Sequence, residues 1–188
     1  MMNNNDCAEL FKTIKLLILD VDGVLTKGEI IYDDRGRELK IFNVKDGLGV
    51  FLLSRVGIRT ILLTARNSPV LKKRAADMHV AQVIGGRLPK ESVLEEIKTG
   101  YGVDEKHICF VGDDLIDIGL MKKVALGIAV NDAPDEVKQA ARYVTSKRGG
   151  EGAVREVVDC IIRHQQLSAS IRQCIEKPSL ADRRIGRR

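Results

Sequence analysis

The stretch KLLILDVDGVLT, residues 15–26, determines how the rest of the sequence is interpreted. The run Lys15 to Leu19, apolar after its first residue, is typical of a strand buried on both faces within a parallel sheet. Asp20 and Asp22 follow at once, and residues two apart in an extended chain point the same way. We therefore expect their carboxylates to converge at the carboxyl end of the strand, where open α/β sheets bind their ligands.

Further apolar runs of strand length alternate with stretches that carry helix-start signals. Strands are predicted at residues 15–19, 58–63, 80–84, 107–111 and 127–130. Helix starts are predicted at Ser68-Pro69, Pro89-Lys90-Glu91, Asp114 and Pro134-Asp135-Glu136, where caps, prolines or acidic residues precede amphipathic stretches. The alternation predicts an α/β fold with a doubly wound, Rossmann-like parallel sheet flanked by helices.

One segment interrupts this alternation directly after the first strand. Two short strand-like runs, Glu29 to Tyr32 and Glu38 to Phe42, flank the turn sequence Asp33-Asp34-Arg35-Gly36. This pattern predicts a β-hairpin, inserted at about residues 28–42, where a simple doubly wound fold has a helix.

Length and charge favour a single domain. A chain of 188 residues, 44% of them hydrophobic, can bury one ordinary core. We expect an N-terminal extension at residues 1–13, the domain at 14–164 and a flexible tail at 165–188. The net charge of +5 arises within residues 163–188, which carry seven basic and two acidic residues. A balanced body with 4% aromatic residues is not typical of a nucleic-acid-binding protein, so no nucleic-acid partner is expected.

Compartment signals favour a soluble cytoplasmic protein. No window approaches the roughly 18–20 apolar residues of a membrane span, and the first residues lack a secretory pattern, so no membrane partner is expected. The four cysteines show neither zinc-like spacing nor a disulfide framework, which indicates reduced thiols.

A second group of acids follows the fourth predicted strand. Asp113 and Asp114 end the run Val111-Gly112-Asp113-Asp114, and Asp117 lies one helical turn further on. Either acidic group alone is compatible with a turn or a helix cap. Capping does not explain why two strands direct acids at one point, where their mutual repulsion requires a cation. Oxygen ligands without Cys or His favour Mg²⁺.

Three further side chains are expected at the same edge of the sheet. Thr64 ends the second core strand, Arg66 follows it, and Lys90 opens the helix after the third strand. Taken singly, Thr64 and Lys90 are typical of a strand end and a surface lysine. Together with the acids and Mg²⁺ they indicate a phosphoryl site, because cations neutralise phosphoryl oxygens and a hydroxyl orients them.

The order of these motifs resembles the haloacid-dehalogenase-like phosphatase superfamily. Within it, residues 14–164 are most similar to the 3-deoxy-D-manno-octulosonate 8-phosphate phosphatases. The features that carry this resemblance are Asp20 to Thr26, the hairpin, Asn43 to Gly47, Val111 to Asp117 and Gly149 to Glu156. It implies a phosphoric monoester hydrolase without a large cap domain, which uses Mg²⁺ and acts on a phosphorylated sugar acid in lipopolysaccharide precursor synthesis.

The resemblance also implies a role for each site residue. Asp20 would attack phosphorus and become an aspartyl-phosphate, while Asp22 would protonate the leaving alkoxide and then activate water. Thr64 and Lys90 would hold the phosphoryl group. Mg²⁺ would be bound by the Asp20 carboxylate, the Asp22 backbone carbonyl and Asp113, with Asp114 and Asp117 orienting these ligands.

Substrate contacts are implied by the same resemblance. They comprise Asp22, Asn43, Val44, Lys45, Asp46, Gly47, Arg66, Arg74 and Lys90. The cations among them suit a substrate that carries a carboxylate as well as a phosphate. On its own, Arg74 on a helix face is more typical of a solvated charge.

A homotetramer is also implied, with hairpins pairing between subunits and the Gly-rich segment from Gly149 reaching a neighbour's site. An isolated hairpin is marginal in water, so Ile30, Ile31, Ile41 and Phe42 need burial. Packing of the hairpin on its own subunit is the alternative.

Three departures from the family pattern leave the substrate open. Ala65 stands where glycine is usual, Lys45 where arginine is frequent, and Phe51 where a basic residue is frequent. A nine-carbon sugar-acid 9-phosphate is therefore an alternative substrate. A phospho-receiver domain and a non-catalytic subunit are the alternatives from other functional classes. A receiver has its acid after the third strand, where this chain has Gly85-Gly86-Arg87, and a silent subunit has no need of both Asp20 and Asp22.

Overall fold

The computed structural model of the chain describes residues 4–176. Its strands are β1 (Leu16–Leu19), β2 (Ile31–Tyr32), β3 (Glu38–Leu39), β4 (Arg59–Thr64), β5 (Gln82–Gly85), β6 (Ile108–Gly112), β7 (Leu126–Ala129) and β8 (Tyr143–Val144). Its α-helices are α1 (Asn4–Thr13), α2 (Val44–Arg55), α3 (Pro69–Asp77), α4 (Leu94–Tyr101), α5 (Ile118–Lys123), α6 (Asp135–Ala140), α7 (Ala153–His164) and α8 (Ser168–Glu176). Short 3₁₀ helices occupy Lys90–Val93, Glu105–His107 and Leu115–Asp117.

Six parallel strands form the central sheet in the order β5-β4-β1-β6-β7-β8. The predicted α/β class with a doubly wound parallel sheet is confirmed. Five of the strands match the predicted ones to within two residues at each end, and β2 and β3 form the predicted antiparallel hairpin. The sixth strand, β8, was not predicted because only two residues of it pair with β7.

The position of β1 at the centre of the sheet explains the apolar run at residues 15–19. β1 lies between β4 and β6, and its four residues are completely buried. The register places Leu19 beside both Leu62 and Val111, and the Asp20 amide donates a hydrogen bond to the Val111 carbonyl at 3.0 Å. The chain therefore leaves β1 in a fixed direction between its two neighbours, and the acids begin there.

The two ends of the described chain pack on two neighbouring helices, α7 and α2. Phe11 of α1 is 2% exposed and stacks on His164 of α7, with 5.7 Å between the ring centroids. At the other end, α8 packs on α2, and its Ile171 is buried. The expected flexible tail beginning at residue 165 thus contains the helix α8, which is held to the body by the buried Ile171 and by Leu167, which precedes the helix and packs against the core. Residues 177–188 of that tail lie outside the described residues. None of the described helices has the length and apolar character needed to cross a bilayer.

Glu156 of α7 ties the segment after β8 to the body of the protein. Its carboxylate accepts hydrogen bonds from the Tyr143 hydroxyl (2.9 Å), the Ser146 amide (2.8 Å) and hydroxyl (2.7 Å), and the Lys147 amide (3.0 Å). Burial acts to raise the pKa of Glu156, but the bonds from Ser146, Tyr143 and Lys147 outweigh it and lower that pKa. The carboxylate therefore stabilises the folded state in its ionised form.

Replacing Glu156 by Gln is expected to lower the free energy of unfolding at pH 7 by about 1–3 kcal/mol. The glutamine side chain would place an NH₂ group, which donates hydrogen bonds, against the hydroxyl and amide groups that now donate to the carboxylate. Because the pKa of Glu156 is lower in the folded state, this contribution is present above about pH 4.5 and is lost as the pH falls through the folded-state pKa. Thermal denaturation of both forms from pH 7 to pH 3 should show the two stabilities converging in acid. A stability difference that stays constant over this range would contradict the assignment. Glu136→Gln, at an exposed acid of α6, is the control.

Candidate active site

A buried ion cluster lies at the carboxyl ends of β1 and β6. The Lys90 ammonium is completely buried and lies 2.8 Å from Asp20 Oδ1 and 2.6 Å from Asp117 Oδ1. Burial acts to lower the pKa of Lys90, but Asp20 and Asp117 outweigh it and raise that pKa. Lys90 is therefore a permanent cation held between two acids, rather than the surface lysine that its position alone suggests.

Asp117 holds the loop after β6 in place. Its Oδ2 accepts hydrogen bonds from the backbone amides of Asp113 (2.8 Å) and Asp114 (3.1 Å). Asp114 is exposed and caps the next 3₁₀ helix by accepting a hydrogen bond from the Leu115 amide at 2.6 Å. Both oxygens of Asp117 are thus occupied by protein donors, which suits the predicted orienting role for Asp114 and Asp117.

Asp113 faces Asp20 without a cation of its own. Its Oδ1 is buried and has no hydrogen-bond partner among the described residues. Burial, together with the negative charge of Asp20, raises the pKa of Asp113 to about 8. Burial also raises the pKa of Asp20, against the opposing effect of Lys90. The protein alone therefore does not balance the negative charge at this point.

A divalent cation fits this arrangement. Asp20, Asp113 and Asp117 each offer a carboxylate oxygen within 4.8 Å of the others. Since Asp117 is occupied by Lys90 and two amides, Asp20 and the unpartnered Asp113 are the carboxylates left to bind an ion. A set of oxygen donors without Cys or His suits Mg²⁺.

Gly23 makes room for the Asp113 carboxylate. It has a φ of +90°, and a Cβ built on it would overlap the Asp113 side chain. The Asp-x-Asp-Gly motif therefore needs glycine both for a backbone conformation that L residues rarely adopt and for the close approach of the two loops.

Two hairpin residues that the sequence analysis missed lie at this site. The Lys40 side chain is 2% exposed, and its ammonium forms ion pairs with Asp22 and, at 3.4 Å, with Glu38. Glu38 in turn accepts a hydrogen bond from Arg66 at 2.8 Å. The available signal was the alternation in β3, which places Glu38 and Lys40 on one face and Leu39 on the other.

Thr64 and Arg66 lie where they were predicted, at the end of β4 beside β1. The Thr64 side chain is buried, and its hydroxyl oxygen accepts a hydrogen bond from the Arg66 amide at 3.1 Å. The hydroxyl proton is thereby left to donate elsewhere.

The predicted substrate segment, residues 43–47, is divided between two environments. Asn43 caps α2 by accepting a hydrogen bond from the Lys45 amide at 2.8 Å, and Val44 and Lys45 are exposed. Asp46 is completely buried and accepts a hydrogen bond from the Arg155 amide, at 2.7 Å, in the first turn of α7. Burial raises the pKa of Asp46. In this structure Asp46 therefore ties α2 to α7 and is closed off from solvent, whereas Val44 and Lys45 remain accessible at the start of α2.

Arg74 of α3 packs against both ends of this segment, at Asn43 and at Gly47. Its guanidinium donates to the Asn43 carbonyl at 3.1 Å, lies over the Phe42 ring and occupies the space that a Cβ on Gly47 would need. The alternative of a solvated charge is therefore wrong.

The Gly-rich segment lies against its own catalytic loop. The Gly150 amide donates to the Val24 carbonyl at 2.9 Å, and a Cβ on Gly149 would overlap the Gly23 carbonyl. These contacts hold Gly149 and Gly150 against the loop after β1 of their own subunit, and the expectation that the Gly-rich segment reaches a neighbour's site stays a prediction.

Sequence comparison identifies the family. The family model of the haloacid dehalogenase-like hydrolases matches residues 62–157 of this chain. The chain is 39% identical, over 158 residues, to the 3-deoxy-D-manno-octulosonate 8-phosphate phosphatase of Haemophilus influenzae. This match covers 84% of this chain and 88% of the relative. The corresponding Salmonella typhi phosphatase is 38% identical and covers 82% of each chain. This chain belongs to the haloacid dehalogenase-like hydrolase family.

Solved structures of this hydrolase family agree with the assignment. The Moraxella catarrhalis 3-deoxy-D-manno-octulosonate 8-phosphate phosphatase, solved with magnesium, phosphate and its sugar acid, is 34% identical with a TM-score of 0.88. The match covers 92% of this chain and 99% of that one. A cobalt-bound form of the Haemophilus influenzae enzyme is 37% identical with a TM-score of 0.83, and the match covers 89% of this chain and 99% of that one.

Gly23→Ala is expected to lower kcat by about a hundredfold, since displacing a reacting group by roughly 1 Å has effects of this size. It should also raise the Mg²⁺ concentration needed for half-maximal activity, because the new methyl group displaces Asp113. Hydrolysis of p-nitrophenyl phosphate against Mg²⁺ concentration measures both quantities.

Gly28→Ala is the matched control, because Gly28 has a φ of +86° but a Cβ there would meet nothing closer than 3.9 Å. It applies the same backbone strain in the same loop without touching Asp113. Equal losses in the two variants would show that strain, and not displacement of Asp113, is responsible.

Proposed function

We propose that this protein is a Mg²⁺-dependent phosphatase that converts 3-deoxy-D-manno-octulosonate 8-phosphate to 3-deoxy-D-manno-octulosonate and phosphate. The observation that carries the proposal is the buried cluster of Asp20, Lys90, Asp113 and Asp117, in a chain 39% identical to a phosphatase of that specificity. The cluster provides a nucleophile, a cation and acids for a metal at the carboxyl ends of β1 and β6. The identity of the proposed substrate is taken from the similar phosphatases.

In the proposed reaction, Asp20 attacks phosphorus and the bond from phosphorus to the sugar oxygen breaks. Asp22 gives its proton to that oxygen, which leaves as the sugar hydroxyl. Asp22 then takes a proton from water, which attacks the aspartyl-phosphate at phosphorus, releases phosphate and restores the Asp20 carboxylate. Asp22 lies two residues beyond the nucleophile, and its Oδ2 has no hydrogen-bond partner among the described residues, so no protein donor competes for this oxygen.

The remaining groups hold the phosphoryl oxygens. An ammonium has three donors, and the bonds of Lys90 to Asp20 and Asp117 leave one of them for a phosphoryl oxygen. The Thr64 hydroxyl donates a second hydrogen bond. Mg²⁺, when bound by Asp20, Asp113 and the backbone carbonyl of Asp22, supplies neutralisation of the phosphoryl charge.

The direct test is phosphate release from 3-deoxy-D-manno-octulosonate 8-phosphate by the purified protein. We expect turnover with Mg²⁺, loss of turnover on chelation, and a decrease in kcat of about a thousandfold or more in Asp20→Asn, as for the loss of a nucleophile. Asp34→Asn, at an exposed acid of the hairpin turn, is the control and should retain wild-type turnover.

Full activity in Asp20→Asn would contradict the mechanism. A nine-carbon sugar-acid 9-phosphate belongs in the same panel, because Ala65, Lys45 and Phe51 depart from the family pattern. A higher kcat/KM for that compound would change the substrate and leave the reaction type intact.

We propose further that the protein is a homotetramer assembled through its hairpins. The hairpin turns its charged face inward, and its outer side chains are apolar: Ile30 is 58% exposed, Tyr32 59%, Leu39 50% and Ile41 70%. Phe42 packs against the core of its own subunit and Ile31 is half-buried, so the alternative of packing on the own subunit accounts for only part of the hairpin. A neighbouring hairpin is the proposed cover for the outer side chains.

Ile41→Asp is expected to convert the tetramer to smaller species, because it places a charge in the proposed interface. Light scattering coupled to size exclusion measures the mass. Ile175→Asp is the matched control, since Ile175 on α8 is 60% exposed but lies outside the hairpin. A wild-type protein that runs as a monomer would contradict the proposal.

We also propose that the protein works in the cytoplasm, where it supplies a sugar acid for lipopolysaccharide precursors. Cys109, Cys160 and Cys174 are thiols in the fold, which suits a reducing compartment.

A further inference from the structure

Four alternating charges connect the proposed acid–base residue to the proposed carboxylate-binding arginine. We call Asp22, Lys40, Glu38 and Arg66 the hairpin ion chain. Lys40 pairs with Asp22 and lies 3.4 Å from Glu38, and Arg66 lies 2.8 Å from Glu38. The two middle members come from the hairpin, whereas Asp22 follows β1 and Arg66 follows β4.

The orientation of the hairpin is unusual for the surface of a single chain. Its inward face carries Glu38 and Lys40, and its outward face carries the apolar Leu39 and Ile41. An ammonium that is 2% exposed is costly unless it is paired, and here it has two carboxylates. A purely structural hairpin would place its apolar side chains inward, so the buried charges point to a role at the site.

Each end of the hairpin ion chain meets a different part of the reaction. At one end Lys40 holds one oxygen of Asp22, whose other oxygen is buried and has no hydrogen-bond partner among the described residues. At the other end Glu38 holds one nitrogen of Arg66, whose side chain is 38% exposed. A guanidinium has five N–H donors, so Arg66 keeps others with which to bind a carboxylate.

We propose that Lys40 and Glu38 are positioning residues with separate effects. Lys40 fixes the orientation of Asp22 for proton transfer, and Glu38 fixes Arg66 to receive the carboxylate of the sugar acid. This inference rests on the proposed function, and it makes the hairpin the element that couples selection of an acidic sugar to the chemical step.

Kinetics with two substrates separate the effects. The substrates are 3-deoxy-D-manno-octulosonate 8-phosphate and p-nitrophenyl phosphate, which has no carboxylate. Glu38→Gln is expected to raise KM for the sugar-acid phosphate about tenfold. The substrate ratio, which is kcat/KM for the sugar-acid phosphate divided by kcat/KM for p-nitrophenyl phosphate, should fall by at least about fivefold in this variant. Lys40→Gln is expected to lower kcat for both substrates by at least about tenfold and to keep that ratio within about twofold.

Controls separate positioning from folding. Glu29→Gln makes the same chemical change at an exposed position of the hairpin segment and should match the wild type. Glu38→Asp and Lys40→Arg keep the charges and should recover part of each loss. Thermal melting verifies that every variant is folded. If Lys40→Gln does not fold, the kinetics of Lys40→Arg and Lys40→Met are measured in its place.

The outcomes distinguish this inference from the proposed function. A wild-type protein with no preference for the sugar-acid phosphate overturns the function itself. A wild-type preference that Glu38→Gln leaves intact, or identical changes in the substrate ratio from Glu38→Gln and Lys40→Gln, overturns the inference alone.

Discussion

The balance of charge around Lys90 constrains the rest of the site. One completely buried ammonium lies between Asp20 and Asp117, and Asp113 faces them with an oxygen that has no hydrogen-bond partner among the described residues. Removing one partner from a buried ion pair typically costs about 3–5 kcal/mol, so these groups stabilise the fold only as a set. The acid left unbalanced, Asp113, is the one that we propose a divalent cation to satisfy. The same arrangement thus holds the loops together and prepares them for an anionic phosphoryl group.

The sheet supplies the rigidity that this cluster requires. β1 is buried between β4 and β6, and the three strands end at the same edge, so Asp20, Thr64 and Asp113 arrive there from adjacent strands. Close contacts at three glycines also hold the loop after β1 in place. Gly23 leaves space for Asp113, and Gly149 and Gly150 pack on the loop that carries Asp20 and Asp22. The catalytic loop is therefore supported on both sides before any ligand binds.

The features that sequence alone predicted are those set by local patterns. Apolar runs identified five of the six sheet strands, and acids placed directly after two of them were expected to lie together, as they do, because parallel strands end at one edge. The features that it missed depend on distant packing. Lys40 resembles a solvated lysine until the hairpin folds over Asp22, and Asp46 resembles a site residue until α7 presents its first turn to it. The helix α8 packs on the body through one buried residue, Ile171, with Leu167 just before it, and so short an apolar pattern is not distinctive in a sequence.

We infer that Asp113 and Asp20 form a site for one divalent cation, and calorimetric titration of the purified protein with Mg²⁺ measures whether they do. We expect one ion bound per chain by the wild type and no detectable binding by an Asp113→Asn variant whose melting curve shows that it is folded. Binding of equal affinity in both proteins, or no binding by the wild type, would contradict it.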